Sequence, residues 1–229
     1  MKKKILLPTD FSKNAYNAIN YAIELYKEES CEFFILHSYY LPGYEKSNLL
    51  SLEPTDKKLN EVKLRAEENM EQLKSHVHSN ENNHSFIFLN EFGSFNEVLN
   101  KIVEKEDIKL IIMGTHGETD DENIILGRNA VNIMEKVRNC PVLTIPGNIV
   151  FKKPNEIVFP TSYKTHYKES ELATLIEISK LTKAPIRVLH IQSDKELSKK
   201  QEEKKELLNQ ILKDTIYTMK KYNEPAKEM

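Results

Sequence analysis

The sequence alternates short apolar segments with amphipathic ones, and this alternation constrains the fold more than any other feature. The longer segments place apolar residues three and four positions apart, as on one face of a helix; Ala15, Ala18, Ile19 and Ala22 are an example. Strands interleaved with helices favour a parallel sheet that is covered on both faces. We therefore predict an α/β fold over residues 1–146, with an open, mostly parallel sheet of five strands. The predicted strands begin at Lys4, Phe33, Ser85, Lys109 and Cys140.

The opening of this pattern recurs later in the chain. Residues 157–162 repeat the pattern of residues 5–10 at an offset of 152, and residues 188–190 repeat residues 35–37 at an offset of 153. Two matches at nearly constant offset predict an internal duplication. We expect a first domain over residues 1–146 and an incomplete second copy over residues 155–229.

The end of the second copy is predicted to be a charged helix from residue 195 to residue 222. Its apolar residues follow helical spacing in the later turns. They are Leu208, Ile211, Leu212, Thr215 and Met219.

Composition excludes several classes of function. The 35 acidic and 33 basic residues leave a net charge of −2, so no overall basic field attracts nucleic acid. No apolar stretch approaches the roughly 20 residues of a membrane span, so no membrane partner is expected. Two cysteines, Cys31 and Cys140, form neither a disulfide framework nor a metal-binding spacing. These observations predict a cytoplasmic protein.

Several motifs together carry a resemblance to a known family. They are the opening segment ILLPTDFS, the Leu36-His37 strand end, the turn from Gly114 to Gly117, and the segment CPVL. The chain resembles a tandem universal stress protein, and the spacing Gly114-x2-Gly117-x9-Gly127 is similar to that of the ATP-binding branch. The resemblance covers residues 1–146 and the repeat to about residue 192. It implies a Rossmann-like fold of the adenine-nucleotide α-hydrolase type.

The glycine loop also has a physical interpretation of its own. Gly114 ends the most apolar strand, at the edge where open α/β sheets bind ligands. Gly117 permits positive φ or close backbone approach, and Gly127 precedes a helix. The N–H groups of Arg128, Asn129 and Ala130 then lie in a first helical turn, where they lack intrahelical partners and favour a phosphate. The alternative is that these glycines only make turns.

The adenosine end of the site is implied by the resemblance and maps onto Pro8, Thr9 and Asp10. Asp10 can accept hydrogen bonds from a ribose hydroxyl or a base amine; alternatively, it caps the first helix. Ser38 stands where the family commonly places a small apolar residue against adenine. The complete predicted nucleotide site is Pro8, Thr9, Asp10, Ser38, Met113, Gly114, Thr115, His116, Gly117, Gly127, Arg128 and Asn129.

The phosphate loop departs from the family at Arg128, which replaces the usual Ser or Thr. Its guanidinium can bind phosphate or point outward as an ordinary surface group. His116 can touch a phosphate or fill the turn. Four acids follow it, and they can repel a triphosphate, coordinate Mg²⁺, or be solvated. These acids are Glu118, Asp120, Asp121 and Glu122.

No catalytic residue and no metal site is predicted. His76, His78 and His84 lack ligand spacing, and His37 and His190 occupy equivalent positions that favour a packing role. We expect a regulatory protein that binds ATP or a related adenine nucleotide, with or without Mg²⁺, and acts on a protein partner. The alternatives are a nucleotide-free interaction module of the same fold and a slow ATP hydrolase.

Assembly is the last expectation. Members of the family commonly pair two units through their final strands, which implies a homodimer through residues 141–145. An unpaired apolar edge strand is a template for association. The alternative is that the charged helix of residues 195–222 covers this edge and leaves a monomer.

Overall fold

The computed structural model describes residues 2–41, 57–78, 83–115, 127–192 and 196–223. The chain forms two compact units, Met1–Phe151 and Lys152–Met229. The first unit alternates strands and helices along its length. In chain order these are β1 Lys3–Pro8, α1 Lys13–Leu25, β2 Cys31–Tyr39, α2 Lys57–His78, β3 Ser85–Phe92, α3 Phe95–Glu106, β4 Leu110–Gly114, α4 Arg128–Lys136 and β5 Val142–Ile145.

The five strands of the first unit form one parallel sheet in the order β3-β2-β1-β4-β5. The predicted five-stranded parallel sheet is therefore confirmed. Strand β1 lies at the centre, where Ile5 is opposite Phe33 of β2 on one side and Leu110 of β4 on the other. The chain builds the sheet outward from β1 to β3 and then crosses back to β4. A topological switch point therefore lies between β1 and β4.

Each face of this sheet is buried under a pair of helices, as the apolar strands require. Helix α1 contacts β1, β4 and β5, whereas α2 contacts β2 and β3. The opposite face packs against α3 and α4. Its core consists of Leu6, Phe34, Leu36, Ile111 and Met113 from the strands and Val98, Leu99, Ile102, Val103, Ala130, Ile133 and Val137 from the helices and their ends.

The second unit contains a smaller parallel sheet of three strands in the order β6-β7-β8. Its elements are β6 Ile157–Pro160, α5 Glu169–Thr182, β7 Ile186–Gln192, α6 Lys199–Leu212 and β8 Tyr217–Asn223. The inward-facing residues of the strands, such as Ile186 and Val188, pack with Leu172 of α5 and with Leu208 and Leu212 of α6.

The predicted charged helix over residues 195–222 is wrong beyond Leu212. Helix α6 ends at Leu212, and a turn follows in which the Thr215 N–H donates to the Leu212 carbonyl at 2.9 Å. Met219, which was assigned to the helix face, lies in strand β8 opposite Val188. The residues of β8 alternate between half-buried and exposed, from Tyr217 to Lys220, which is the period of a strand.

The two units share one local arrangement at the end of their first strand. In the first unit, Nδ1 of His37 lies 2.9 Å from the Thr9 carbonyl oxygen, and the Thr9 hydroxyl accepts from the Phe11 N–H at 3.0 Å. In the second unit, Nδ1 of His190 lies 2.8 Å from the Thr161 carbonyl oxygen, and the Thr161 hydroxyl accepts from the Tyr163 N–H at 3.0 Å. The sequence repeat thus coincides with a repeat of geometry.

Within the described ranges, no helix is both long enough and apolar enough to cross a membrane.

Candidate functional site

A cavity of about 150 Å³ opens at the carboxyl ends of β2, β1 and β4. It lies at the topological switch point, where open α/β sheets bind their ligands. Helices α3 and α4 begin at its rim. The lining residues are Pro8, Thr9, Asp10, Ala15, His37, Ser38, Phe95, Met113, Gly114, Thr115, Asn129 and Ala130.

The end of β1 supplies hydrogen-bond acceptors to this cavity. Asp10 uses one carboxylate oxygen, Oδ1, to accept from the Ser12 N–H at 3.0 Å. Ser12, not Asp10, is the N-cap of α1, because its hydroxyl accepts from the Ala15 N–H at 3.2 Å. The capping alternative for Asp10 is therefore wrong. Its carboxylate instead stiffens the turn between β1 and α1 while lining the cavity.

His37 packs and also lines the cavity, whereas the sequence predicted only packing. The Thr9 carbonyl can only accept, so Nδ1 of His37 carries the proton, and in the neutral ring Nε2 is an acceptor. Burial lowers the pKa of His37, against opposing effects of the Thr9 carbonyl and the Asp10 charge. The ring stands 4.4 Å from that of Phe11, a residue held at a φ of 62°. His37 is thus held as a neutral, oriented side chain.

Gly114 has a packing reason for being glycine that the sequence did not reveal. A Cβ at this position would lie 3.2 Å from the Asn14 carbonyl oxygen and 3.3 Å from its carbonyl carbon. The end of β4 therefore approaches the backbone of the first turn of α1 closely. This close approach helps to shape one wall of the cavity.

The start of α4 forms the opposite end of the cavity. Gly127 is the N-cap, as predicted, and it has a φ of −67°, so it is not required for a left-handed conformation. Its N–H donates to the Thr115 carbonyl at 2.6 Å, which ties the helix start to the end of β4. Asn129 and Ala130 line the cavity. The first helical N–H groups have no intrahelical acceptor, and Gly127 provides no side-chain cap.

Arg128 is exposed and does not line the cavity. Eight of the twelve predicted site residues do line it; Gly127 and Arg128 flank it; and His116 and Gly117 lie outside the described residues, as do the four acids of the loop.

The sequence missed four lining residues. Of these, His37 carried a signal in its repeat at His190, and Ala130 was expected only through its backbone N–H; Ala15 and Phe95 come from helix starts and have apolar side chains. The four are Ala15, His37, Phe95 and Ala130.

The cavity is chemically polarised along its length. Asp10, Ser38 and His37 line the cavity near the ends of β1 and β2, and Phe95 and Met113 add apolar side chains to its lining. At the α4 end, the N–H groups of the first helical turn lack intrahelical acceptors, and together with the helix dipole they favour an anion. The arrangement therefore suits an elongated ligand that is anionic at one end and carries a flat, hydrogen-bonding group at the other.

Comparison with known proteins gives a family match over most of the chain. The universal stress protein family profile matches residues 1–146. Universal stress protein MJ0577 of Methanocaldococcus jannaschii is 31% identical over 157 residues, which cover 63% of this chain and 95% of that protein. A second protein of that organism, universal stress protein MJ0531, is 31% identical over 163 residues, which cover 67% of this chain and 84% of that protein.

Solved structures give the same result for the fold. The structure of MJ0577 aligns at 31% identity with a TM-score of 0.52, covering 64% of this chain and 96% of that chain. A universal stress protein from Archaeoglobus fulgidus aligns at 16% identity with a TM-score of 0.66, covering 97% of this chain and 79% of that one. The second likeness includes the second unit and concerns the fold alone.

Proposed function

Because the chain belongs to the universal stress protein family, we propose that its first unit binds ATP or a related adenine nucleotide in the cavity between β1 and β4. Binding regulates a protein partner in the cytoplasm. The observation that carries the proposal is the convergence of Pro8, Thr9 and Asp10 with Met113 and Gly114 in a single cavity at the switch point. These segments are about a hundred residues apart in the sequence and were assigned to one site from motifs alone.

The polarity of the cavity supports one orientation of the nucleotide. The phosphates lie at the start of α4, where Asn129 and Ala130 line the cavity and the N–H groups of the first helical turn lack intrahelical acceptors. The ribose lies near Asp10, whose carboxylate accepts strong hydrogen bonds from hydroxyl groups. The base occupies the end formed by Phe95 and Ser38. Arg128 is exposed beside the helix start, and from there it reaches the outer phosphates.

Regulation rather than turnover is the proposed activity. Of the side chains that line the cavity, Asp10 already accepts a hydrogen bond and, in the proposed orientation, faces the ribose rather than the phosphates. His37, the other lining group able to act as a base, is likewise at the ribose end in this orientation. Neither reaches a γ-phosphate at α4, so we propose that the protein is not an enzyme. Slow ATP hydrolysis is the weaker alternative.

The test is equilibrium binding of fluorescently labelled ATP to the full chain, with and without Mg²⁺. We expect saturable binding that Asp10→Ala weakens roughly 10- to 100-fold, since one hydrogen bond to a charged group is lost. Asp214→Ala, which removes an exposed aspartate in the second unit, is the matched control and should bind like the parent. Competition by tripolyphosphate should change little in the Asp10 variant, because that ligand lacks the ribose.

The rival function is a nucleotide-free interaction module of the same fold. It predicts that the folded parent chain binds no ATP under either condition. Circular dichroism of the same samples establishes that the chain is folded. If Asp10→Ala and Asp214→Ala both bind ATP like the parent, the ribose is placed wrongly even though a site exists.

We further propose that residues 155–229 repeat the first part of the domain in residues 1–146. Strands β6, β7 and β8 have the order and direction of β1, β2 and β3, and the Thr161–His190 contact matches the Thr9–His37 contact. Ser162 replaces the carboxylate of Asp10, so the nucleotide site belongs to the first unit.

We also propose a homodimer through strand β5. In the described part of the chain, β5 pairs only with β4, so its outer edge is open. Ile149 and Val150, shortly after this strand, are 44% and 74% exposed. An isologous contact would pair each β5 with its own copy.

A further inference from the structure

The second unit has a cavity of its own, which the proposed nucleotide site does not use. It has a volume of about 590 Å³ and lies between the end of β7, strand β8 and the start of α6. The nucleotide cavity of the first unit instead includes the starts of α3 and α4. Helix α6 follows the second strand of its unit, as α2 does in the first, so the two cavities occupy different places in the fold.

His190 is the buried polar group of this cavity, with only 7% of its surface exposed. Its Nδ1 lies 2.8 Å from the Thr161 carbonyl oxygen, which can only accept, so Nδ1 carries the proton. In the neutral ring Nε2 is then an acceptor, and it has no hydrogen-bond partner among the described residues. Nε2 is not one of the unpartnered atoms sealed away from solvent in those residues, so it is reached from the cavity. A buried nitrogen of this kind normally has a partner, and a bound molecule with a donor group would supply it.

The deep part of the cavity is otherwise apolar and held in place. The ring of Tyr163 is buried beside His190, with the ring centroids 4.7 Å apart. The Tyr163 hydroxyl donates to Sδ of Met219 at 3.9 Å, and half-buried Leu197 adds a further apolar side chain. A capping box fixes the start of α6. These contacts give a preformed apolar surface around one hydrogen-bond acceptor.

Four charged side chains of both signs form the rim of the cavity. Lys205 and Glu202 pair with each other, with Nζ 3.4 Å from Oε2. Glu196 and Lys220 are exposed and have no ion-pair partner among the described residues. One anion and one cation are therefore left at the mouth. This pair complements a zwitterion better than it complements a molecule with a single charge.

We propose that this cavity binds a free amino acid whose side chain is apolar and ends in a hydrogen-bond donor, of which tyrosine is the simplest example. The aromatic ring of the ligand packs against Tyr163 and Met219. Its phenol hydroxyl donates to Nε2 of His190, and its ammonium and carboxylate groups meet Glu196 and Lys220 at the rim. The inference is independent of the nucleotide site, because every group that it uses belongs to the second unit.

The experiment measures binding of four probes to the full chain by isothermal titration calorimetry. They are tyrosine, phenylalanine without the hydroxyl, tyramine without the carboxylate, and 3-(4-hydroxyphenyl)propionate without the ammonium group. Phenylalanine should bind about 2- to 10-fold more weakly than tyrosine, which is the net effect of one hydrogen bond. The other two should each bind about 2- to 5-fold more weakly than tyrosine, because the charged groups that they lack meet exposed partners.

Variants assign each part of the ligand to its partner. His190→Asn keeps an amide donor for the Thr161 carbonyl and removes Nε2, so tyrosine should bind it only as well as phenylalanine does. Lys220→Gln should abolish the preference for tyrosine over tyramine, and Glu196→Gln the preference over 3-(4-hydroxyphenyl)propionate. The matched control is His166→Asn, which replaces an exposed histidine of the same unit and should leave all four affinities unchanged.

Each outcome decides for or against the assignment. Saturable tyrosine binding whose preference over phenylalanine disappears in His190→Asn, but not in His166→Asn, supports it. A folded parent chain that binds no probe at millimolar concentration overturns it, and so does a His190→Asn chain that still prefers tyrosine. If circular dichroism shows that His190→Asn is unfolded, the two rim variants decide in the same way. Saturating ATP should not displace tyrosine; displacement would place the ligand in the first unit and overturn the inference. A parent that binds tyrosine but not ATP refutes the proposed function alone.

Discussion

Gly114→Ala tests the packing that shapes the cavity. The new Cβ would lie 3.2 Å from the Asn14 carbonyl oxygen and 3.3 Å from its carbonyl carbon, closer than ordinary van der Waals contact. These are backbone atoms in the first turn of α1, which the Ser12 cap and the buried Ala15 hold in place. Relief therefore requires the helix start or the strand end to move. Overpacking of this kind costs about 1–3 kcal/mol of unfolding free energy.

Gly147→Ala is the matched control, because it approaches the same residue at a different place. Its Cβ would overlap the terminal amide of the Asn14 side chain, which can rotate away. We expect a cost of less than about 1 kcal/mol, as for a tolerant surface position. Adding Asn14→Ala should relieve Gly147→Ala and leave Gly114→Ala destabilised, since the backbone contact remains.

The assay is hydrogen exchange of the β4 amides of Ile111 and Ile112 at increasing urea concentrations, which reports on the opening of the first unit alone. A Gly114→Ala chain as stable as the parent would refute the close-approach argument. So would a Gly114→Ala chain that Asn14→Ala restores. ATP affinity should fall in Gly114→Ala and stay unchanged in Gly147→Ala.

Three further predictions concern pH, assembly and the acidic loop. Burial lowers the pKa values of His37 and His84 below those of the unfolded chain. Their contribution to stability is therefore complete above about pH 6.5 and is lost as the pH falls through the folded-state values. The urea concentration at the midpoint of unfolding should fall from pH 7 to pH 5, and an unchanged midpoint would contradict this. Leu143→Lys should convert a dimer into a monomer in sedimentation at micromolar concentration, whereas a parent chain that is monomeric at every concentration would end the β5 pairing. Neutralising the loop acids should tighten ATP binding in metal-free buffer, by up to about 1 kcal/mol per charge, and should help less, or weaken binding, with Mg²⁺. Identical affinities of the parent and the variant in both buffers would place the loop away from the phosphates. The acids to be replaced by their amides are Asp120, Asp121 and Glu122.

The order of the first unit could be predicted because its strands and helices have distinct periods. The buried residues of α1 recur at three and four positions, and the strands are short apolar runs that end near Pro, Asp or Gly. Strand β8 was missed because two periods coincide over a short window. Ile211, Thr215 and Met219 are four residues apart, which fits a helix, yet Tyr217 and Met219 are also two apart, which fits a strand.

The site could be predicted where a motif ends a strand or, at Asn129, begins the helix after a glycine. Pro8, Thr9 and Asp10 end β1, and Met113 and Gly114 end β4, so parallel pairing brings them to one edge. The other walls come from helix starts whose positions depend on tertiary packing. The side chains of Phe95 and Ala130 carry no chemical signal in the sequence. The contact between Gly114 and Asn14 was likewise invisible, because it joins residues one hundred positions apart.

Hydrogen exchange of the full chain with and without saturating ATP and Mg²⁺ tests the nucleotide site most directly, because it reports both binding and location. We predict slower exchange at the end of β1, at the Thr115 amide and in the first turn of α4 near Ala130, with no change in strands β6 and β7. Protection confined to the second unit, or unchanged exchange throughout the first unit at millimolar ATP, would contradict a nucleotide site between β1 and β4.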